Sequence, residues 1–187
     1  EVFDMLPIQD TISWNALIGG YVKHEFAEDA LDCFKEMQIE GVCQDGITFI
    51  YALKACGDVV AIAKGDEIHG EVVKRGFLET HLGVANALIN MYIKSGWIEK
   101  ARQVFDWLPT RNTLLWNVLI MGHAKCERGQ DAVKCFEEMQ VQGFSPDDVT
   151  FLGLLNACSH SGLVDKGMTY FDAIVKNHGL ALKLEHY

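Results

Sequence analysis

Apolar residues recur along the chain at helical rather than strand spacing. Trp14, Leu17, Ile18 and Tyr21 fall at i, i+3, i+4 and i+7. Ala27, Ala30, Leu31, Phe34 and Met37 follow with a similar period. Two consecutive amphipathic helices are predicted. A residue suited to ending a helix follows each second helix, at Gly41, Gly76, Pro109 and Gly143. The unit is a helical hairpin, and the expected fold class is all-α.

The hairpins repeat with a long period. Residues 11–45 and 113–147 are identical at 17 of 35 positions, so that "TISWNALIGG" returns as "TLLWNVLIMG" 102 residues later. At the same offset "ITFIYALKACG" (47–57) returns as "VTFLGLLNACS", and "VFDMLP" (2–7) as "VFDWLP". The period holds three hairpins of 35, 36 and 31 residues: 11–45, 46–81 and 82–112. Residues 113–147 and 148–183 repeat the first two kinds. Residues 1–10 read as the end of a truncated hairpin of the third kind, and 184–187 as the start of a further one. One hairpin cannot bury its apolar stripe alone; stacking buries it against the next and makes an α-solenoid. Both ends would then expose apolar surface, so a fragment of a longer, uncapped array is expected.

Composition narrows the function. The chain has 187 residues, 49% hydrophobic and 22% charged, enough for a sizeable core. No stretch of about 18 apolar residues occurs, so a membrane is not an expected partner. The first ten residues lack the basic start and apolar core of a targeting signal. A net charge of −10 argues against binding nucleic acid by bulk electrostatics, and DNA is not expected; a local basic strip would have to serve. None of the six cysteines forms a C-x-x-C pair. His123 with Cys126, and Cys158 with His160, lack the further ligands that zinc needs, so neither a metal nor a cofactor is expected. Cys33, Cys56, Cys135 and Cys158 lie on apolar stripes and read as core packing.

Two hairpin families have about this period. The tetratricopeptide pattern accounts for Trp14, Leu17 and Tyr21 but demands a constant 34-residue unit. The rotation of three lengths, with "EDALDCFKEMQIEGV", "TFIYALKACG", "NALINMYIKSGWIEKARQVFDWLPTRN" and "NACSHSGLVDKG", closely resembles pentatricopeptide-repeat proteins of the plant PLS class. The resemblance covers essentially the whole chain. It makes 11–45 and 113–147 P-type, 46–81 and 148–183 L-type, and 82–112 S-type. One departure is an extra residue in "GFLETHLGVAN", which blurs the boundary near His81.

The resemblance implies a right-handed superhelix that binds single-stranded RNA in its groove, one base per repeat read by two or three side chains. Asn15 follows a Trp on the apolar stripe, so it is expected to project about 100° away from that stripe. Its amide both donates and accepts, which suits a pyrimidine edge. The resemblance assigns base reading to Asn15 with Asp45, Asn86 with Asn112, and Asn117 with Asp147. Ile12, Leu114 and Val149 become base-stacking residues, and Gly83 is a poor counterpart. Ile50 and Leu152 stand at the reading position of the L-type units and should discriminate little. The implied footprint is 5′-U-n-Y-U-n-3′. Lys23, Lys94 and Lys125 recur at one place in the first helix and are phosphate-contact candidates; Asp58 would repel a phosphate there. The Asp residues also precede first helices, where they would serve as N-caps.

The implied role is to guide organellar C-to-U RNA editing in a plant mitochondrion or chloroplast, with editing cofactors or other ribonucleoprotein subunits as partners. Any deaminase would lie outside these residues, because the combination of H-x-E with P-C-x-x-C is absent. No catalysis is expected. A structural or RNA-processing subunit would use the same groove, and a protein-binding scaffold is the alternative of another class.

Overall fold

A computed structural model of the chain describes residues 9–178. Most of the truncated unit at 1–10, and the start of a further unit at 184–187, lie outside the described residues. Every described element is helical. The first helices are α1 (Thr11–Lys23), α3 (Gly46–Asp58), α6 (Leu82–Lys94), α8 (Thr113–Lys125) and α10 (Asp148–His160). The second helices are α2 (Ala27–Ile39), α4 (Ile62–Lys74), α7 (Ile98–Trp107), α9 (Gly129–Val141) and α11 (Val164–His178). A single turn, α5 (Phe77–Thr80), occupies the region of the extra residue. Gly76 enters it at φ 72, and Phe77 packs on Phe49 with ring centroids 5.2 Å apart.

Sequence chemistry fixes the start of four first helices and the end of all five; α6 begins after His81 without a side-chain cap. Asp10, Asp45, Asn112 and Asp147 accept a hydrogen bond from the backbone N–H three residues on, so the capping role expected of the Asp residues is present. Each first helix then ends in three residues whose central member is left-handed: Glu25, Val60, Gly96, Glu127 or Gly162. The next N–H reaches back to a carbonyl five residues earlier, as in Phe26 to Tyr21 and Trp97 to Tyr92. This Schellman-type closure satisfies orphan carbonyls and reverses the chain in minimal length.

Contacts divide the chain into two units, one ending at Thr110 and the other beginning at Arg111. In the first, α1 packs on α3 and α3 on α6, while α2 and α4 cover these first helices. Trp14, Ile18, Phe34, Met37, Phe49 and Leu88 are buried there. In the second, α8 packs on α10, with α9 against both and α11 against α10. Trp116, Phe136, Met139 and Leu154 are buried there. Cys56, Cys135 and Cys158 are core residues, but Cys33 is only half-buried, against expectation: its place on α2 lies at the edge of the buried face.

Candidate functional site

The site is best counted from each first-helix cap. Two residues beyond the cap stand aliphatic side chains left in solvent: Ile12 is 78% exposed, Leu114 54% and Val149 46%. Ile47 stands at the same offset and is 52% exposed; sequence reasoning missed it, although counting from Asp45 would have found it. Gly83 takes this place in α6. Four exposed branched side chains at one register are unusual for packing residues and suited to holding a flat ring.

Five residues beyond the cap stand Asn15, Ile50, Asn86, Asn117 and Leu152. Here the structure corrects one expectation. Asn15 and Asn117 do not project from the apolar stripe into solvent; they are buried, at 7% and 3% exposure. The first helices are covered on two sides, so the face next to the Trp is covered by the following first helix. Their amides are instead satisfied by polar partners. Asn15 Nδ2 donates to Asp45 Oδ1 at 3.0 Å, and the Thr48 hydroxyl donates to Asn15 Oδ1 at 2.6 Å. Thr48 also closes a capping box, giving its N–H to Asp45 Oδ1 (2.9 Å) and accepting the Asp45 N–H (3.1 Å). In the second unit Asn117 donates to Asp147 at 2.9 Å, and Thr150 donates to Asn117 at 2.5 Å. Burial pushes both carboxyls upward. The Thr N–H, the Asn amide and the Thr hydroxyl outweigh it and hold Asp45 and Asp147 below the ordinary value. Both are anionic acceptors at neutral pH.

The other reading candidates are placed differently. Asn86 is half-buried, and Asn90, one turn on, donates to its carbonyl at 3.1 Å. Asn112 caps α8, accepting from Leu115 N–H at 3.0 Å. Ile50, Gly83, Asn86 and Asn90 line a cavity of about 250 Å³ between α3 and α6.

Of the lysines, Lys23 and Lys125 are exposed. Lys94 is ion-paired with Asp58, so the basic row is weakened at Lys94 as well as at Asp58. Lys54 was missed. It lies one turn beyond Ile50, and Lys23, Lys54, Lys94, Asp58 and Glu25 line one hollow of about 440 Å³ in the first unit. Lys125 borders a hollow with Asn156 and His160 in the second.

A separate polar cluster joins α4, α6 and α7. Tyr92 donates to Asp66 at 2.7 Å and lies 2.8 Å from His69 Nδ1, so the His proton is on Nδ1. Lys100 binds Asp66 at 2.8 Å. His69-Gly70-Glu71 has H-x-E spacing, but Glu71 is bonded by Arg75 at 2.7 Å. Among the described residues no three His, Cys, Asp or Glu side chains are grouped to hold a metal, and no helix is long and apolar enough to cross a membrane.

Comparison with known proteins identifies the architecture. A family model described as the PPR repeat family matches residues 9–58 and 111–160, and one described as the PPR repeat matches 84–106 and 149–178. The chain is 38% identical over 188 residues to the Arabidopsis thaliana pentatricopeptide repeat-containing protein CRR2, chloroplastic, covering 100% of this chain and 28% of that protein. It spans from 19% to 30% of the length of the first curated relatives it matches. Among solved structures it resembles the pentatricopeptide repeat protein PPR10 in complex with an 18-nt psaJ RNA element: TM-score 0.75, 16% identity, 89% of this chain and 25% of that one. The PPR domain of Arabidopsis thaliana protein-only RNase P 1 in complex with tRNA gives TM-score 0.69 and 11% identity over 91% of each chain. At these identities the structural likenesses establish the fold.

Proposed function

The chain belongs to the pentatricopeptide repeat family, and from that premise we propose that it binds single-stranded RNA in a sequence-dependent way, one nucleotide per hairpin. The observation that carries the proposal is the repeated pairing of an exposed aliphatic side chain two residues past a cap with an amide five residues past it. Ile12 with Asn15 and Leu114 with Asn117 recur 102 residues apart. The aliphatic group offers a face for the base and the amide offers an edge, which is how repeats of this kind encode a sequence. Family repeats are binding modules, so the chain is not an enzyme.

In this reading the footprint is 5′-U-n-Y-U-n-3′. Asn15 with Asp45, and Asn117 with Asp147, read uracil; Asn86 reads a pyrimidine. Ile50 and Leu152 accept any base. Lys23, Lys125 and Lys54 contact phosphates. The use we favour for the whole protein is selection of organellar transcripts for C-to-U editing, in keeping with the chloroplastic names of some relatives. Fluorescence anisotropy tests the binding claim. An RNA carrying U-n-Y-U should bind at least tenfold more tightly than its purine counterpart, and Asn117→Ala should erase the preference at one nucleotide only. Equal binding of both RNAs, or capture of peptides in preference to RNA, defeats the reading.

A further inference from the structure

Gly83 interrupts a pattern. At the same place in the other first helices stand Ile12, Ile47, Leu114 and Val149, all exposed, whereas α6 has no side chain to offer there. A neighbouring helix supplies one. A β-carbon at Gly83 would lie 3.1 Å from Ile50 Cδ1, the sole atom within 4 Å outside its chain neighbours and its own helix backbone. Ile50 belongs to α3, where it stands one turn beyond Ile47 on the same face. So α3 carries two aliphatic side chains along that face, and α6 carries none at the matching place. Leu82 is 37% exposed, but it stands about 100° around α6 from Gly83 and does not share its place. The cavity of about 250 Å³ beside Gly83 has Ile50 and Leu53 of α3 on one side and Asn86 and Asn90 of α6 on the other. A ring entering it meets an aliphatic wall from one hairpin and amides from the next.

We propose that Ile50 is the base-stacking residue of the third hairpin, supplied by the second. The nucleotide facing Asn86 rests on Ile50 rather than on a side chain of α6. The inference deepens the RNA-binding proposal above and rests on it. A base set against Gly83 alone would have backbone on that side and would forfeit most of the dispersion contacts that a branched side chain gives. The Ile50 tip restores them from across the cavity. Ile50 thus serves the nucleotide of its successor and not its own. Its own hairpin keeps Ile47 for stacking and has no polar reading side chain, which leaves that nucleotide indifferent to base identity. The absence of a side chain at Gly83 and the reach of Ile50 are two halves of one arrangement: a β-carbon at Gly83 and the present Ile50 tip would crowd each other.

The test is a double-mutant cycle between side chain and base, read by fluorescence anisotropy. The probes are the RNA 5′-UACUA-3′ and two forms of it that lack one base, either the C facing Asn86 or the A before it. On the intact RNA, Ile50→Ala should weaken binding about three- to tenfold, the lower range for stacking. On the RNA lacking the C base the substitution should cost nothing further. On the RNA lacking the A base it should cost as much as on the intact one. Combining Ile50→Ala with Gly83→Val, which returns a branched side chain to α6, should recover most of the lost affinity. Ile50→Val removes only the methyl nearest Gly83 and should give the same pattern at smaller amplitude, should Ile50→Ala not fold by circular dichroism. The proposal is overturned if Ile50→Ala leaves binding of the intact RNA unchanged, if its cost survives loss of the C base, or if loss of the A base abolishes that cost. A wild-type chain that binds all three RNAs alike refutes instead the one-base-per-hairpin reading beneath it.

Discussion

Lys94 holds its ammonium against the carboxylate of Asp58, contributed by the preceding first helix. An ion already neutralised by its neighbour contributes little to a phosphate contact. Asp58→Asn should release Lys94 and strengthen RNA binding about two- to fivefold at 50 mM salt. The log-log salt slope should steepen by up to about one unit, because one more counterion is displaced. Anisotropy titrations between 50 and 200 mM salt check this. The gain should be equal for all base sequences; a gain confined to one sequence would contradict a phosphate role.

Ile47 is 52% exposed although its helix is otherwise well packed. Ile47→Ala should leave the melting temperature within about 1 °C of wild type, as expected for a surface substitution. It should nevertheless weaken RNA binding several-fold for every base, since stacking is tolerant of sequence. Parallel melting and binding curves separate this from a packing defect.

Two glycines should respond in opposite ways to alanine. At Gly129 an added methyl would come within 2.7 Å of the Ala157 backbone carbonyl and 2.5 Å of Ser161 Oγ. Gly129→Ala should cost about 1–3 kcal/mol through overpacking. At Gly20, inside α1, nothing lies within 4 Å, and Gly20→Ala should add roughly 0.5–1 kcal/mol by reducing unfolded-chain freedom. Urea denaturation midpoints decide both.

Acidification should loosen the first unit through His69. Burial lowers its affinity for a proton, Lys100 lowers it further, and Asp66 only partly opposes them. The folded state thus binds the proton less readily than the unfolded chain, whose histidines titrate near pH 6.5. The stabilising contribution is complete above that pH and is lost as pH falls through it toward the lower folded value. Between pH 7 and 5.5 the melting temperature should fall, and His69→Asn should flatten that fall. Tyr92, Asp66 and Lys100 face His69 in this cluster; burial and the Asp66 hydrogen bond push the Tyr92 phenol up, and the Lys100 hydrogen bond holds the Asp66 carboxyl below its ordinary value, so neither of these titrates in this window.

Much of the architecture was legible because its signals are local. The caps Asp45, Asn112 and Asp147 precede α3, α8 and α10, and the apolar period marks the helices behind them. The extra residue near His81 was visible as an anomaly, but its solution as α5 depends on Phe77 finding Phe49. The burial of Asn15 was not legible. A helical wheel shows one helix, whereas the cover over Asn15 comes from a residue 33 positions away, Thr48. The Lys94–Asp58 pair is separated by 36 residues and was hidden for the same reason. Ile47 was missed although its signal was local, since exposed aliphatic residues attract notice only once the offset from a cap is used as a ruler.

The hairpins differ in length within and after their second helices, α7 having 10 residues where α2, α4 and α9 have 13, yet among the described residues every first helix has 13 residues and every hairpin turn has three. Counting therefore restarts at each cap. An insertion or deletion in a connector is erased before the next amide is reached, so a gene encoding such an array can gain or lose residues between hairpins without shifting the reading frame of its decoding side chains.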